Sequence, residues 1–141
     1  MLGFFLNLHN IFQRITMGIT MPTQFHLLVA DDEDSLRSVV VTELRENDFH
    51  VEEASDGAEA ISLLKQHTFD LALLDVKMPG MDGIELLERI QGTRFSSHAH
   101  IVIITAYTDQ DIAKEAVRKG AKKVITKPFS MNDIEACLSE L

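Results

Sequence analysis

The sequence predicts an α/β domain on a five-stranded parallel sheet, and three observations carry that expectation. From Phe25 onward, five short apolar runs alternate with amphipathic stretches at close intervals, the pattern of stacked βα units. Two of the runs, His26–Ala30 and 69–75, are almost continuously apolar, as strands covered on both faces must be. Each of these two stops at an aspartate. With 141 residues, 45% of them hydrophobic and 25% charged, the chain can bury one core and has a globular composition.

Taken in order, the first strand is His26–Ala30 (HLLVA), which runs into Asp31, Asp32, Glu33 and Asp34. Residues 35–47 carry Leu36, Val39, Val40 and Leu44 at helical spacing, with Asp34 placed to cap that helix. Residues 49–54 read as a shorter, more polar strand nearer an edge, closed by a turn at Ser55, Asp56 and Gly57. A helix over 58–66 presents Ala60, Ile61 and Leu64, and 69–75 (FDLALLD) is the third strand. Pro79, Gly80 and Gly83 make 76–83 a loop, and Asp82 caps a helix from Gly83 to about Gln91. His100–Thr105 is the fourth strand and ends on a hydroxyl. A helix over 109–119 is stopped by Gly120, residues 122–126 form the fifth strand beside Lys127, and Ser130 caps a last helix over 131–141.

Charge and composition exclude several functions. A formal net charge of −9 repels phosphate backbones and anionic lipid, so the chain alone is not expected to bind nucleic acid. Cys137 is the single cysteine; it can form no internal disulfide, reads as a small core residue, and makes a reducing cytoplasm the expected location. The histidines, His9, His26, His50, His67, His98 and His100, show no metal-ligand spacing and read as surface or edge residues, while Met78 and Met81 read as packing. Residues 1–24 stand apart. Arg14 is their only ordinary charge, and Leu2, Phe4, Phe5, Leu6, Leu8, Ile11, Phe12 and Ile15 are broken by Asn7, His9, Asn10 and Gln13. That segment lacks a basic leader and is too short to span a membrane. Two readings stay open: an amphipathic segment through which alone membrane or partner contact is expected, and an overlong reading frame with Met17 or Met21 as the start. The second is preferred.

In an open parallel sheet the ligand site lies beyond the carboxyl ends of the strands. The residues expected there are Asp31 and Asp32 after the first strand, Asp75 after the third, Thr105 after the fourth and Lys127 after the fifth. Three acids in close quarters repel one another unless a cation joins them. Carboxylate oxygens with remaining waters suit Mg²⁺. A phosphoryl group there would be neutralised by the metal, the Lys127 amine and the Thr105 hydroxyl, which leaves Asp75 as the nucleophile.

These residues resemble a known family. The acid pair Asp31 and Asp32, the stretch DVKMPGMDG opening on Asp75, ITAY with Thr105, and TKPF with Lys127 are similar in order and spacing to the CheY-like receiver domain of two-component response regulators. The resemblance covers 25–141, leaving 1–24 as an extension. It implies a flavodoxin-like, doubly wound (βα)5 fold with strand order 2-1-3-4-5. It also implies that Asp75 is phosphorylated by a histidine kinase or histidine phosphotransfer protein, with Mg²⁺ held by Asp32 and Asp75, by Asp31 through water, and by the Lys77 backbone carbonyl. Thr105 and Lys127 would hold phosphoryl oxygens, and the Lys127-Pro128 bond would be cis. Such a domain is a phosphoacceptor that signals through, or relays to, a downstream protein target; it is not a turnover enzyme.

Two positions depart from or refine the family pattern. Val124 stands where receivers often carry a tyrosine or phenylalanine that rotates on activation, so output is expected to depend on the loop and helix over 106–119. Lys77 and Tyr107, each two residues beyond a key position, would flank the phosphoryl group and exclude water, which implies a long-lived phosphoaspartate. A haloacid-dehalogenase-like phosphatase ranks lower, because that class carries its nucleophile after the first strand with a second acid two residues on, whereas Asp31 and Asp32 are adjacent. The other alternative is the receiver portion of a transcription regulator whose effector domain lies outside this chain. No basic DNA-binding region follows the last predicted helix.

Overall fold

Each amphipathic stretch has an apolar stripe to bury, and the strands between them offer two apolar faces. A computed structural model describes residues 25–94, 99–106 and 110–140. Its elements are β1 His26–Ala30, α1 Asp34–Glu46, β2 His50–Ala54, α2 Gly57–Gln66, β3 Leu71–Asp75, α3 Gly83–Ile90, β4 His100–Thr105, α4 Gln110–Arg118, β5 Lys123–Thr126 and α5 Met131–Ser139. The expectations that concern 1–24, His98, Tyr107, Asp109 and Leu141 fall outside the described residues.

All strand pairings are parallel, in the order β2-β1-β3-β4-β5. This is the doubly wound arrangement that the sequence resemblance implies. Side-chain alternation divides the core in two. Leu28, Ala30, Ala72, Leu74, Ile101 and Ile103 pack against α2, α3 and α4. Leu27, Val29, Leu71, Leu73, Val102 and Ile104 face α1 and α5 through Val41, Leu44, Ile134, Cys137 and Leu138. β3 is buried at every position, which is why its sequence is unbroken by polar residues until Asp75. β2 lies on the edge, as its more polar composition predicts. Cys137 is a buried core residue whose thiol is pushed up by that burial.

Helix ends follow local chemistry. Asp82 and Asp56 accept the backbone N–H of Glu85 and Glu59, both at 2.8 Å, and so cap α3 and α2. The Asp133 carboxylate accepts the Ser130 N–H at 2.9 Å at the start of α5. Gly120, at φ +111°, ends α4. Asp34 does not cap α1: the N-cap is Glu33, and Asp34 is the first helical residue. There its charge meets the positive end of the helix dipole, and its carboxylate accepts from the Arg37 guanidinium at 2.7 Å. Among the described residues no helix is long and apolar enough to cross a membrane.

One glycine ties the fold to the edge of the sheet where the acids gather. A β-carbon on Gly83 would stand 2.3 Å from the Asp75 carbonyl oxygen, while the Gly83 N–H donates to the Val76 carbonyl at 2.9 Å. Gly83→Ala is therefore expected to destabilise the fold by about 1–3 kcal/mol, read as a lower urea midpoint at unchanged slope.

Candidate functional site

The strand order reverses between β1 and β3, so the loops leaving these two strands diverge to opposite faces and open a crevice at their carboxyl ends. Asp31 follows β1 directly, and Asp75 is the last residue of β3. Both are buried, at 7% and 5% exposure. The Asp31 N–H donates to Ala54 on the edge strand at 3.0 Å, and its Oδ1 accepts the Glu33 N–H at 2.9 Å. Arg37 braces the same residue from α1, donating to the Asp31 carbonyl at 2.5 Å while pairing with Glu53 at 3.0 Å. The role of Arg37 was not expected from sequence; its spacing from Asp34 is the one visible signal.

Lys127 closes the site from β5. Its Nζ lies 2.6 Å from Asp75 Oδ2 and 2.9 Å from Asp31 Oδ2. The Lys127 N–H donates to the Thr105 carbonyl at 2.8 Å, which sets Thr105, 2% exposed, beside it at the end of β4. The Lys127-Pro128 bond is cis. The Asp75 Oδ1 accepts the Lys77 N–H at 3.2 Å, so the backbone after Asp75 folds back along the carboxylate. Asp32 is exposed at the rim, and one oxygen from each of Asp31, Asp32 and Asp75 lies within 4.8 Å of the others. All five residues singled out in the sequence thus gather at one end of the sheet. Val124 is half-buried against the α2–α4 side of the core, an aliphatic filler with no ring to rotate.

The electrostatics state what this pocket lacks. Burial pushes the Asp75 carboxyl up and the Asp31 charge adds to that, against the opposing pull of Lys127. Burial alone would lower Lys127, but its hydrogen bonds and charge attraction to Asp75 and Asp31 outweigh it and hold the amine above its usual value. Two buried carboxylates thus share one ammonium. Each Asp31 and Asp75 carboxylate oxygen accepts a hydrogen bond, from Glu33, Lys77 or Lys127. A hard divalent cation fits this donor set in charge and chemistry.

Residues 27–139 match the response regulator receiver domain, and the chain belongs to that family. It is 39% identical over 77% of its length to the transcriptional regulatory protein PdtaR of Mycobacterium tuberculosis, and spans 52% of that protein. It is 34% identical over 82% of its length to the chemotaxis protein CheY of Halobacterium salinarum, and spans 94% of it. Among solved structures it is similar to the CheX-CheY-BeF3-Mg²⁺ complex from Borrelia burgdorferi, with TM-score 0.73, 29% identity, and coverage of 82% of this chain and 87% of that one.

Removing the lysine isolates two buried carboxylates. Lys127→Ala is expected to cost about 1–3 kcal/mol near neutral pH in metal-free buffer. Because the folded state holds the Asp75 proton more tightly than the unfolded chain does, stability declines as pH rises through the window above the ordinary carboxylate range. Without Lys127 that window extends further upward. In urea denaturation with EDTA, the deficit of the variant should be largest near neutrality and shrink as pH falls into the acid range.

Proposed function

We propose that this domain is a phosphoacceptor: Asp75 takes a phosphoryl group from a histidine kinase or a histidine phosphotransfer protein and passes the signal, or the group, to a protein target in the cytoplasm. The observation that carries this reading is the Lys127 amine set between the Asp75 and Asp31 carboxylates at 2.6 and 2.9 Å. It is a fixed positive charge at the point where phosphoryl oxygens would arrive.

In the proposed reaction a carboxylate oxygen of Asp75 attacks phosphorus as the bond from phosphorus to the donor imidazole nitrogen breaks, and the imidazole leaves and regains its proton from solvent. The Lys127 amine and the Thr105 hydroxyl would hold phosphoryl oxygens. Asp31, Asp32, Asp75 and the Lys77 carbonyl are the residues proposed to hold Mg²⁺. When bound, the ion supplies the divalent charge that offsets the crowded carboxylates and the incoming anion. The B. burgdorferi relative, whose structure holds BeF3 and Mg²⁺, supports this reading. Lys77, exposed two residues beyond the acceptor, is proposed to screen the phosphoaspartate from water, giving a lifetime well beyond seconds.

A second reading is favoured by one observation, the 52% span of PdtaR. In it, the same chemistry serves as the input part of a transcription regulator whose effector domain lies outside this chain. A continuing reading frame downstream of Leu141 would decide for it.

Incubation with acetyl phosphate and Mg²⁺, followed by intact-mass measurement, is expected to show one phosphoryl group per chain. Asp75→Asn or EDTA should abolish it, and Lys127→Ala should slow it by about a hundredfold. Incorporation that persists in Asp75→Asn would overturn the assignment.

A further inference from the structure

The opposite end of the sheet carries a second cluster, unrelated to the acidic pocket. The register between β1 and β2 sets His26 directly beside His50. The two-residue period of a strand then places Glu52 on the same face as His50. The two imidazole rings meet edge to face with centroids 4.3 Å apart. Glu52 Oε1 lies 3.3 Å from His50 Nε2 and 3.9 Å from His26 Nε2, and one ligand atom from each of the three residues falls within 4.8 Å of the others.

The decisive detail is the protonation of His26. Its Nδ1 lies 3.0 Å from the Thr68 carbonyl oxygen, which can only accept, so in the neutral ring the proton sits on Nδ1. Nε2 is left with a bare lone pair. That nitrogen is buried and has no hydrogen-bond partner, and the nearest charged atom is a carboxylate oxygen, itself a lone-pair donor. A lone pair facing a lone pair in a shielded place is unfavourable until a cation sits between them.

We propose that His26, His50 and Glu52 form a binding site for a divalent transition metal of borderline softness, of which Zn²⁺ is the representative. Two imidazole nitrogens and one carboxylate suit Zn²⁺, Ni²⁺ or Cu²⁺ and do not suit Mg²⁺. Tetrahedral coordination with bonds of roughly 2.0–2.1 Å puts ligand atoms about 3.4 Å apart. The two Glu52 distances, 3.3 and 3.9 Å, lie close to that separation, and the two histidine ligand atoms fall within 4.8 Å of each other. The Thr68 carbonyl at Nδ1 is the kind of outer partner that fixes the tautomer of a ligating histidine. His50, with 54% of its side chain exposed, leaves the remaining coordination position open to solvent. Metal binding here would tie edge strand β2 to β1 at their amino-terminal ends.

The test is calorimetric titration of the full chain with ZnCl₂ in excess MgCl₂, which gives the aspartate cluster a hard cation of its own. One Zn²⁺ per chain is expected for the wild type and for Asp75→Asn alike. His50→Ala and Glu52→Gln, substitutions at accessible positions, should each weaken binding by at least about tenfold. Co²⁺ should give a visible ligand-field spectrum that His50→Ala removes. Absence of Zn²⁺ binding under these conditions, wild-type affinity in both His50→Ala and Glu52→Gln, or loss of binding in Asp75→Asn would overturn the proposal.

Discussion

The Lys127 amine bridging Asp31 and Asp75 is the contact on which the functional end of this molecule depends. It joins the ends of β1, β3 and β5, strands that leave the sheet at three different places in its order. Neither carboxylate could stay buried as an anion without it, since desolvating two like charges side by side is costly. Nor does one ammonium satisfy both. Burial, with the Asp31 charge added to it, still displaces the Asp75 carboxyl upward against the pull of Lys127. The gathering of Asp31, Asp32 and Asp75 at one end of the sheet is a property of strand order as much as of residue type.

The supports of this contact are distributed through the fold. Arg37 reaches from α1 to the Asp31 carbonyl, and Glu53 on the edge strand holds the guanidinium in turn. The Lys127 backbone hangs from β4 by its bond to Thr105. Beneath them, β3 supplies a floor of fully buried aliphatics on both faces. Asp75 therefore sits at the end of a strand buried on both faces.

Much of this was legible in the sequence, for identifiable reasons. A buried parallel strand cannot carry charge, so an apolar run that stops dead at Asp31 or Asp75 marks both the strand and its functional end. The loop 76–83 announced itself through Pro79, Gly80 and Gly83. What escaped were features that depend on neighbours distant in the chain. Asp34 looked like a cap because an acid precedes an apolar stripe; only the backbone reveals that the helix begins one residue earlier and that Arg37 claims the carboxylate. The histidines looked unrelated because His26 and His50 are far apart in sequence and meet only through the register of β1 with β2. Spacing along one chain segment finds ligands on a helix or hairpin. It is blind to pairs assembled across a parallel ladder.

The bare α-carbon of Gly83 has a mechanical meaning. With no side chain intervening, the first turn of α3 is seated on the very peptide unit that ends β3, and Met81 lies against Gly57 at the head of α2. The segment between Asp75 and α3 is thus pinned at both ends of a short loop. A displacement of the Asp75 backbone would therefore press first on the opening turn of α3, whose neighbour Met81 abuts the head of α2.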